Sequence, residues 1–199
     1  MRIQVESRPL EDMAVIVPEV YQDSRGFFME TYRADQFRDL GLPISFAQDN
    51  HSRSVKNVVR GLHFQWEPPM GKLMRVPHGS AFLVAVDIRK ESPTFGRWAG
   101  VECSAENRRQ VWAPAGFARG FCVLSEMAEI QYKCTGLYNG RAESGILWND
   151  AAIGIEWPVK DPILSEKDAK ARTLADWLAS PESNRFGYAS APEAVLALG

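Results

Sequence analysis

The sequence predicts an all-β fold, an antiparallel sandwich or jelly roll, and three observations carry that prediction. Short β-prone segments recur at roughly regular spacing through most of the 199 residues. Turn-forming clusters separate them, at Glu67-Pro68-Pro69, Pro77-His78-Gly79, Ser92-Pro93, Pro114-Ala115-Gly116 and Tyr138-Asn139-Gly140. No long helical pattern interleaves with the segments, as a parallel α/β sheet would require.

The elements follow in order. Ala14 to Val17 and Phe27 to Tyr32 are β-prone, with Asp23-Ser24-Arg25-Gly26 as a turn between them. Residues 33–40 (RADQFRDL) read as a short helix stopped by Gly41 and Pro43. Strands are then expected at 58–65, 72–76, 81–88, 98–103, 110–113, 120–124, 129–134 and 145–148. Within 58–65, period-two alternation sends Arg60, Leu62 and Phe64 to one face and Gly61, His63 and Gln65 to the other. Near the end the character changes. Ser165 is a cap candidate before Glu166-Lys167-Asp168, and residues 169–178 have helical composition with Leu174, Trp177 and Leu178 at helical spacing. From about residue 180 the chain is rich in Ser, Ala, Gly and Pro, which predicts a loosely held tail on a single domain spanning 1–199.

Bulk properties narrow the function. Net charge is −2, which supplies no global basic field for nucleic acid. No apolar run reaches membrane-span length, and the first residues lack a secretory signal pattern. Three cysteines, Cys103, Cys122 and Cys134, are widely spaced and read as reduced thiols of a cytoplasmic protein. Metal-binding β-barrels show converging histidines, whereas His51, His63 and His78 are isolated here. The G-x-S-x-G, P-loop and G-x-G-x-x-G patterns are absent. What remains is His63, Lys72, Tyr132 and Asp168 with several arginines. A neutral His can take a proton, a carboxylate can orient it, a Tyr can return one and a Lys can stabilise an oxyanion. Such a set suits hydrogen removal next to a ketone. Each member also has a plain structural alternative: a rim or core histidine, a solvated strand charge, an amphipathic core residue and a helix-terminus charge. Spacing alone does not bring them together.

Eight ordered motifs between Arg25 and Asp168 add to this reading: D-S-R-G-F-F-M-E, Q-D-N-H-S, V-V-R-G-L-H-F-Q, G-K-L-M-R-V, V-D-I-R-K-E-S-P-T-F-G, P-A-G-F-A-R-G-F, Y-K-C-T-G-L-Y and G-I-L-W-N-D. Through them the chain closely resembles the dTDP-4-dehydrorhamnose 3,5-epimerase family. The resemblance implies a cupin-type jelly roll with short peripheral helices and a C-terminal helical segment, working without metal or organic cofactor. It implies inversion of C3 and C5 of dTDP-4-dehydro-6-deoxy-D-glucose to give dTDP-4-dehydro-L-rhamnose, a precursor of cell-surface polysaccharide. In that resemblance His63 matches the general base, Asp168 its carboxylate partner, Tyr132 the general acid and Lys72 the cation near the C4 oxygen. Tyr138 matches the aromatic that stacks on thymine. Arg25, Phe28, Glu30, Gln48, Asp49, Asn50, Arg60, Glu143 and Lys167 match positions lining the nucleotide-sugar site. A homodimer exchanging N-terminal strands is also implied, with no nucleic-acid or membrane partner. The chain departs from the family pattern twice. It has Arg119 in F-A-R-G-F, where the family has His, and Leu83 where the family has Asp. Arg119 is thereby expected to meet phosphate as a permanent cation. The alternatives are a 3-epimerase of another nucleotide 4-keto-6-deoxysugar and a non-catalytic nucleotide-sugar-binding jelly roll.

Overall fold

A computed structural model describes residues 1–188. Its strands, in chain order, are β1 (Ile3–Ser7), β2 (Ala14–Pro18), β3 (Val20–Asp23), β4 (Gly26–Met29), β5 (Gln48–Val55), β6 (Val59–Gln65), β7 (Lys72–His78), β8 (Ser80–Asp87), β9 (Trp98–Ser104), β10 (Gln110–Ala113), β11 (Phe117–Val123), β12 (Met127–Cys134) and β13 (Glu143–Gly145). Helix α1 (Ala34–Asp39) follows β4, and α2 (Glu166–Ala169), α3 (Leu174–Ala179) and a 3-10 helix (Pro181–Phe186) follow β13. All strand ladders are antiparallel. They form a six-stranded sheet in the order β1-β2-β10-β7-β12-β5, a five-stranded sheet in the order β13-β6-β11-β8-β9, and a separate β3-β4 hairpin. This is the expected jelly roll.

The main core lies between the two sheets. Met74 and Val76 of β7, Val111 of β10 and Ile130 of β12 meet Leu83 and Ala85 of β8 and Phe117 and Phe121 of β11. Strand alternation then fixes what points elsewhere: Leu73, one residue from Met74, packs outward with Ile16, Phe37 and Trp112. On the outer face of the five-stranded sheet, Leu62, Phe64, Val84 and Val86 are covered by Leu174, Trp177 and Phe186 from the C-terminal segment. Trp177 is fully buried and meets Phe64 edge-on at 4.5 Å between ring centroids. Truncating such a residue typically costs about 3–5 kcal/mol, so this covering is part of the folded core.

Four expectations need correction. β1 and β5 were not anticipated; β5 reads QDNHSRSV, a polar edge strand without an apolar stripe. The helix expected over 169–178 is split, because Thr173 caps α3 in a reciprocal capping box with Asp176 and Arg172 bridges to Ile146. The tail does not loosen at residue 180: residues 181–186 form the 3-10 helix, and its Ser183 and Phe186 are buried. Its remainder, 189–199, lies outside the described residues. The last correction is within β6 and shapes the site.

Candidate active site

His63 stands opposite Arg119 across the β6–β11 ladder, but Arg60 stands opposite Phe121. Three steps on β6 therefore match two on β11, so β6 carries one extra residue, a bulge. Gly61 allows it. Its φ is +121°, and a Cβ there would come within 2.6 Å of the Gly120 Cα. The bulge reverses the alternation upstream of Leu62. Leu62 and Phe64 share a face as expected and pack outward, but Arg60 does not follow them; its Nε donates to Ser54 Oγ of β5, in the opposite sheet, at 3.0 Å. Arg60 and His63 thus both serve the space between the sheets.

The His63 partner comes from α2. Ser165 caps this short helix by accepting from the Asp168 backbone N–H, which turns the Asp168 side chain toward β6. Asp168 Oδ1 lies 2.6 Å from His63 Nε2. Burial alone would raise the Asp168 pKa, but hydrogen bonds from His63, Ser165 and the Gly61 N–H outweigh it and hold the carboxyl below the usual range. An ionised carboxylate only accepts, so Nε2 carries the hydrogen and Nδ1 is left with a free lone pair. The Asp168 side chain is 6% exposed against 31% for His63, the order expected of an orienting group behind a working one.

Lys72 and Tyr132 sit in the facing sheet. Lys72 opens β7 and pairs with Cys134 of β12; its ammonium lies over the Tyr132 ring, 4.9 Å from the centroid. Burial, then the nearby Arg119 charge, lowers the Lys72 pKa to about 8. Burial likewise raises that of Tyr132, so its phenol keeps its proton at neutral pH. Arg119 is 4% exposed. It donates to the carbonyls of Ala113 (3.1 Å), Pro114 (3.3 Å) and Met70 (2.7 Å). Burial lowers its pKa to about 10. Within the chain its guanidinium faces backbone oxygens. Leu83 is buried in the core between the sheets.

The rim is built around Gln65 and Glu143. Gln65 is 3% exposed; its amide donates to Pro68 and Leu137 carbonyls and accepts from the Asn139 N–H. The bonds to Leu137 and Asn139 fold the 137–139 loop against β6. That loop carries Tyr138, 61% exposed, whose N–H donates to Gln48 Oε1 and whose hydroxyl donates to Glu143. Lys167 also pairs with Glu143. Those two hydrogen bonds outweigh burial and keep Glu143 below the usual carboxylate range. Gln48 donates to Asn50, and Asn50 to Cys134 Sγ, along the inward face of β5. Asp49 is not among them. Alternation turns it to the outer face, where it pairs with Lys133 at 2.9 Å. Arg25, Phe28 and Glu30 are not brought to His63 within one chain. Arg25 pairs with Asp23, Glu30 with Arg33, and Phe28 is 63% exposed. Among the described residues, no group of three or more His, Cys, Asp or Glu is arranged to hold a metal ion.

Comparison with known proteins gives this geometry a context. Residues 7–176 match the family model described as dTDP-4-dehydrorhamnose 3,5-epimerase. The chain is 56% identical to the dTDP-4-dehydrorhamnose 3,5-epimerase of Salmonella typhimurium over 168 residues, covering 83% of this chain and 92% of that one. It is 53% identical to the Shigella flexneri protein of the same description over 169 residues, covering 84% and 93%. Among solved structures it is similar to the Legionella pneumophila dTDP-6-deoxy-D-glucose-3,5-epimerase in complex with dTDP-4-keto-L-rhamnose. That match has a TM-score of 0.87 and 45% identity, and covers 92% of this chain and 97% of that one.

Proposed function

Because the chain belongs to the dTDP-4-dehydrorhamnose 3,5-epimerase family, we propose that it inverts C3 and C5 of dTDP-4-dehydro-6-deoxy-D-glucose, and that His63, Asp168, Tyr132 and Lys72 carry the chemistry. The observation that carries the assignment of roles is His63 on one sheet, paired with Asp168 of α2 and facing Lys72 and Tyr132 on the other sheet. The C4 ketone acidifies the hydrogens on C3 and C5. His63 Nδ1 removes one of them while Asp168 stabilises the imidazolium. The electrons move to the C4 oxygen, where the Lys72 ammonium meets the enolate. The Tyr132 phenol returns a proton from the opposite face, and the centre is inverted. A positioned acid or base contributes about 10²–10⁴-fold and an oxyanion donor about 10²–10³-fold, together enough for an enolisation of an already acidified C–H.

Tyr138, exposed at the rim and held through Gln48 and Glu143, is suited to stack on the thymine base. Arg60, Gln48, Asn50, Glu143 and Lys167 are the polar groups available to the nucleotide and sugar from the same chain. Arg25, Phe28 and Glu30 would come from a second copy. A homodimer exchanging the β3–β4 hairpin accounts for them, and the exposed aromatics Tyr21, Phe27 and Phe28 on that hairpin support it. Arg75, half-buried on the outer face of the six-stranded sheet, has no hydrogen-bonding or ionic partner among the described residues, as an incomplete interface would leave it. Cytoplasmic residence is the natural reading of three buried free thiols.

The test is proton exchange. With substrate in D₂O, deuterium should enter at both C3 and C5. No incorporation at either carbon overturns the epimerase reading, and incorporation at C3 alone selects a 3-epimerase.

A further inference from the structure

Arg119 and Leu83 replace residues that the family pattern has as His and Asp, and the structure places the two positions together. Arg119 pairs with Ala85 across the β11–β8 ladder, and Leu83, two residues along β8, is its diagonal neighbour on the same face. Both face the space between the sheets. The three oxygens that meet the Arg119 guanidinium are neutral carbonyls, and its Nε is buried with no partner. No carboxylate pairs with it among the described residues, and Leu83 occupies the position from which one would reach.

The carbonyls are also informative by where they lie. Ala113 is the ladder partner of Lys72 across β10 and β7, and Met70 is two residues before Lys72. One side chain therefore ties the backbone on both sides of the lysine while holding an uncompensated charge beside it. We propose that Arg119 is a positioning residue acting on Lys72, clamping the entry to β7 against its ladder neighbour β10 and holding a fixed positive charge beside the lysine, rather than a ligand of the substrate. The inference rests on the Lys72 role given above only for its effect on turnover. The other titratable groups around Lys72 are Tyr132 and Cys134 on β12, Glu143 on β13 and Lys167 on α2, with His63 on β6 beside Arg119. Glu143 is engaged by Lys167 and Tyr138, so the fixed, unpaired charge in this group is Arg119.

The experiment follows Lys72 directly, by the pH dependence of its trace acetylation read by mass spectrometry, alongside the pH profile of kcat/KM and the affinity for dTDP. In the unaltered protein the Lys72 midpoint should lie at about 8 and the alkaline limb of kcat/KM should coincide with it. Arg119→Met should move both upward by about one pH unit, with dTDP affinity retained. Leu83→Asp, which keeps Arg119 and gives it a carboxylate, should move them the same way. Arg119→Lys, which keeps the charge and loses the forked carbonyl contacts, should leave the midpoint and lower kcat. An unmoved midpoint in both Arg119→Met and Leu83→Asp overturns the inference; so does a tenfold loss of dTDP affinity in Arg119→Met with the midpoint unmoved, which would make Arg119 a substrate ligand. If the midpoint moves while the protein shows no exchange in D₂O, the electrostatic coupling stands and the epimerase reading falls. Should Arg119→Met not fold, Leu83→Asp and Arg119→Lys decide alone.

Discussion

At the residue scale, the site depends on which atoms are occupied before substrate arrives. Asp168 takes the Nε2 side of His63, which fixes Nδ1 as the acceptor, and Tyr132 keeps its proton because it is buried. Lys72 is the costly member. Its pKa falls from 10.5 to about 8, chiefly through burial and then through Arg119. Below pH 8 the folded protein therefore holds a charge that is more comfortable unfolded, at a cost of up to about 3 kcal/mol. Between pH 8 and 10.5 the unfolded chain binds the extra proton, so this cost is relieved and stability rises with pH. Lys72→Met should accordingly raise the melting temperature at pH 7, abolish that alkaline rise, and lower kcat by about 10²–10³-fold; thermal melts across pH 7–10 and steady-state rates check it. The residue types of this set were legible in the sequence because each chemical role admits few side chains. Their protonation was not, because it depends on burial and on Arg119, which approaches Lys72 from another strand.

At the element scale, β6 was read correctly as a strand and incorrectly as a uniform one. Period two put Leu62 and Phe64 on one face, and they share it. The bulge at Gly61 could not be counted from β6 alone, since it is a mismatch against β11. The polar β5 was invisible for a related reason: its inward side chains face a functional space and not an apolar core, so no hydrophobic alternation marks it. The split between α2 and α3 was legible, since Thr173 and Asp176 have capping-box spacing, but helical composition on both sides masked it. Gln65 links β6 to the rim through three backbone groups. Gln65→Leu would leave these unsatisfied at about 1–3 kcal/mol each, more than an exposed loop can absorb. The 137–139 loop should then loosen, and KM for the nucleotide sugar should rise about tenfold with kcat changed much less. Equal falls in kcat and kcat/KM would show instead that Gln65 supports the reacting groups.

At the scale of the whole molecule, one chain brings together His63, Asp168, Tyr132, Lys72 and the Tyr138 rim, the groups proposed to carry the chemistry, but leaves Arg25, Phe28 and Glu30 on or beside a hairpin that does not approach His63. The family resemblance implies these residues in the site and the single chain does not bring them there, a discrepancy that the proposed two-fold exchange of hairpins would resolve. The arrangement predicts complementation. His63→Ala and Arg25→Ala homodimers should each be strongly impaired. After subunit exchange, a mixed dimer has one site that lacks both residues and one site with both intact, because the Arg25→Ala chain keeps its own His63 and receives the hairpin of the His63→Ala chain. Equimolar random exchange makes half the dimers mixed, with one of two sites working, so activity should recover to about one quarter of the unaltered level. If Arg25 instead served its own chain, every site would retain one defect and mixing would restore nothing. Assaying the two variants separately and after co-refolding distinguishes these outcomes, and sedimentation at the assay concentration establishes that the exchanging species is a dimer.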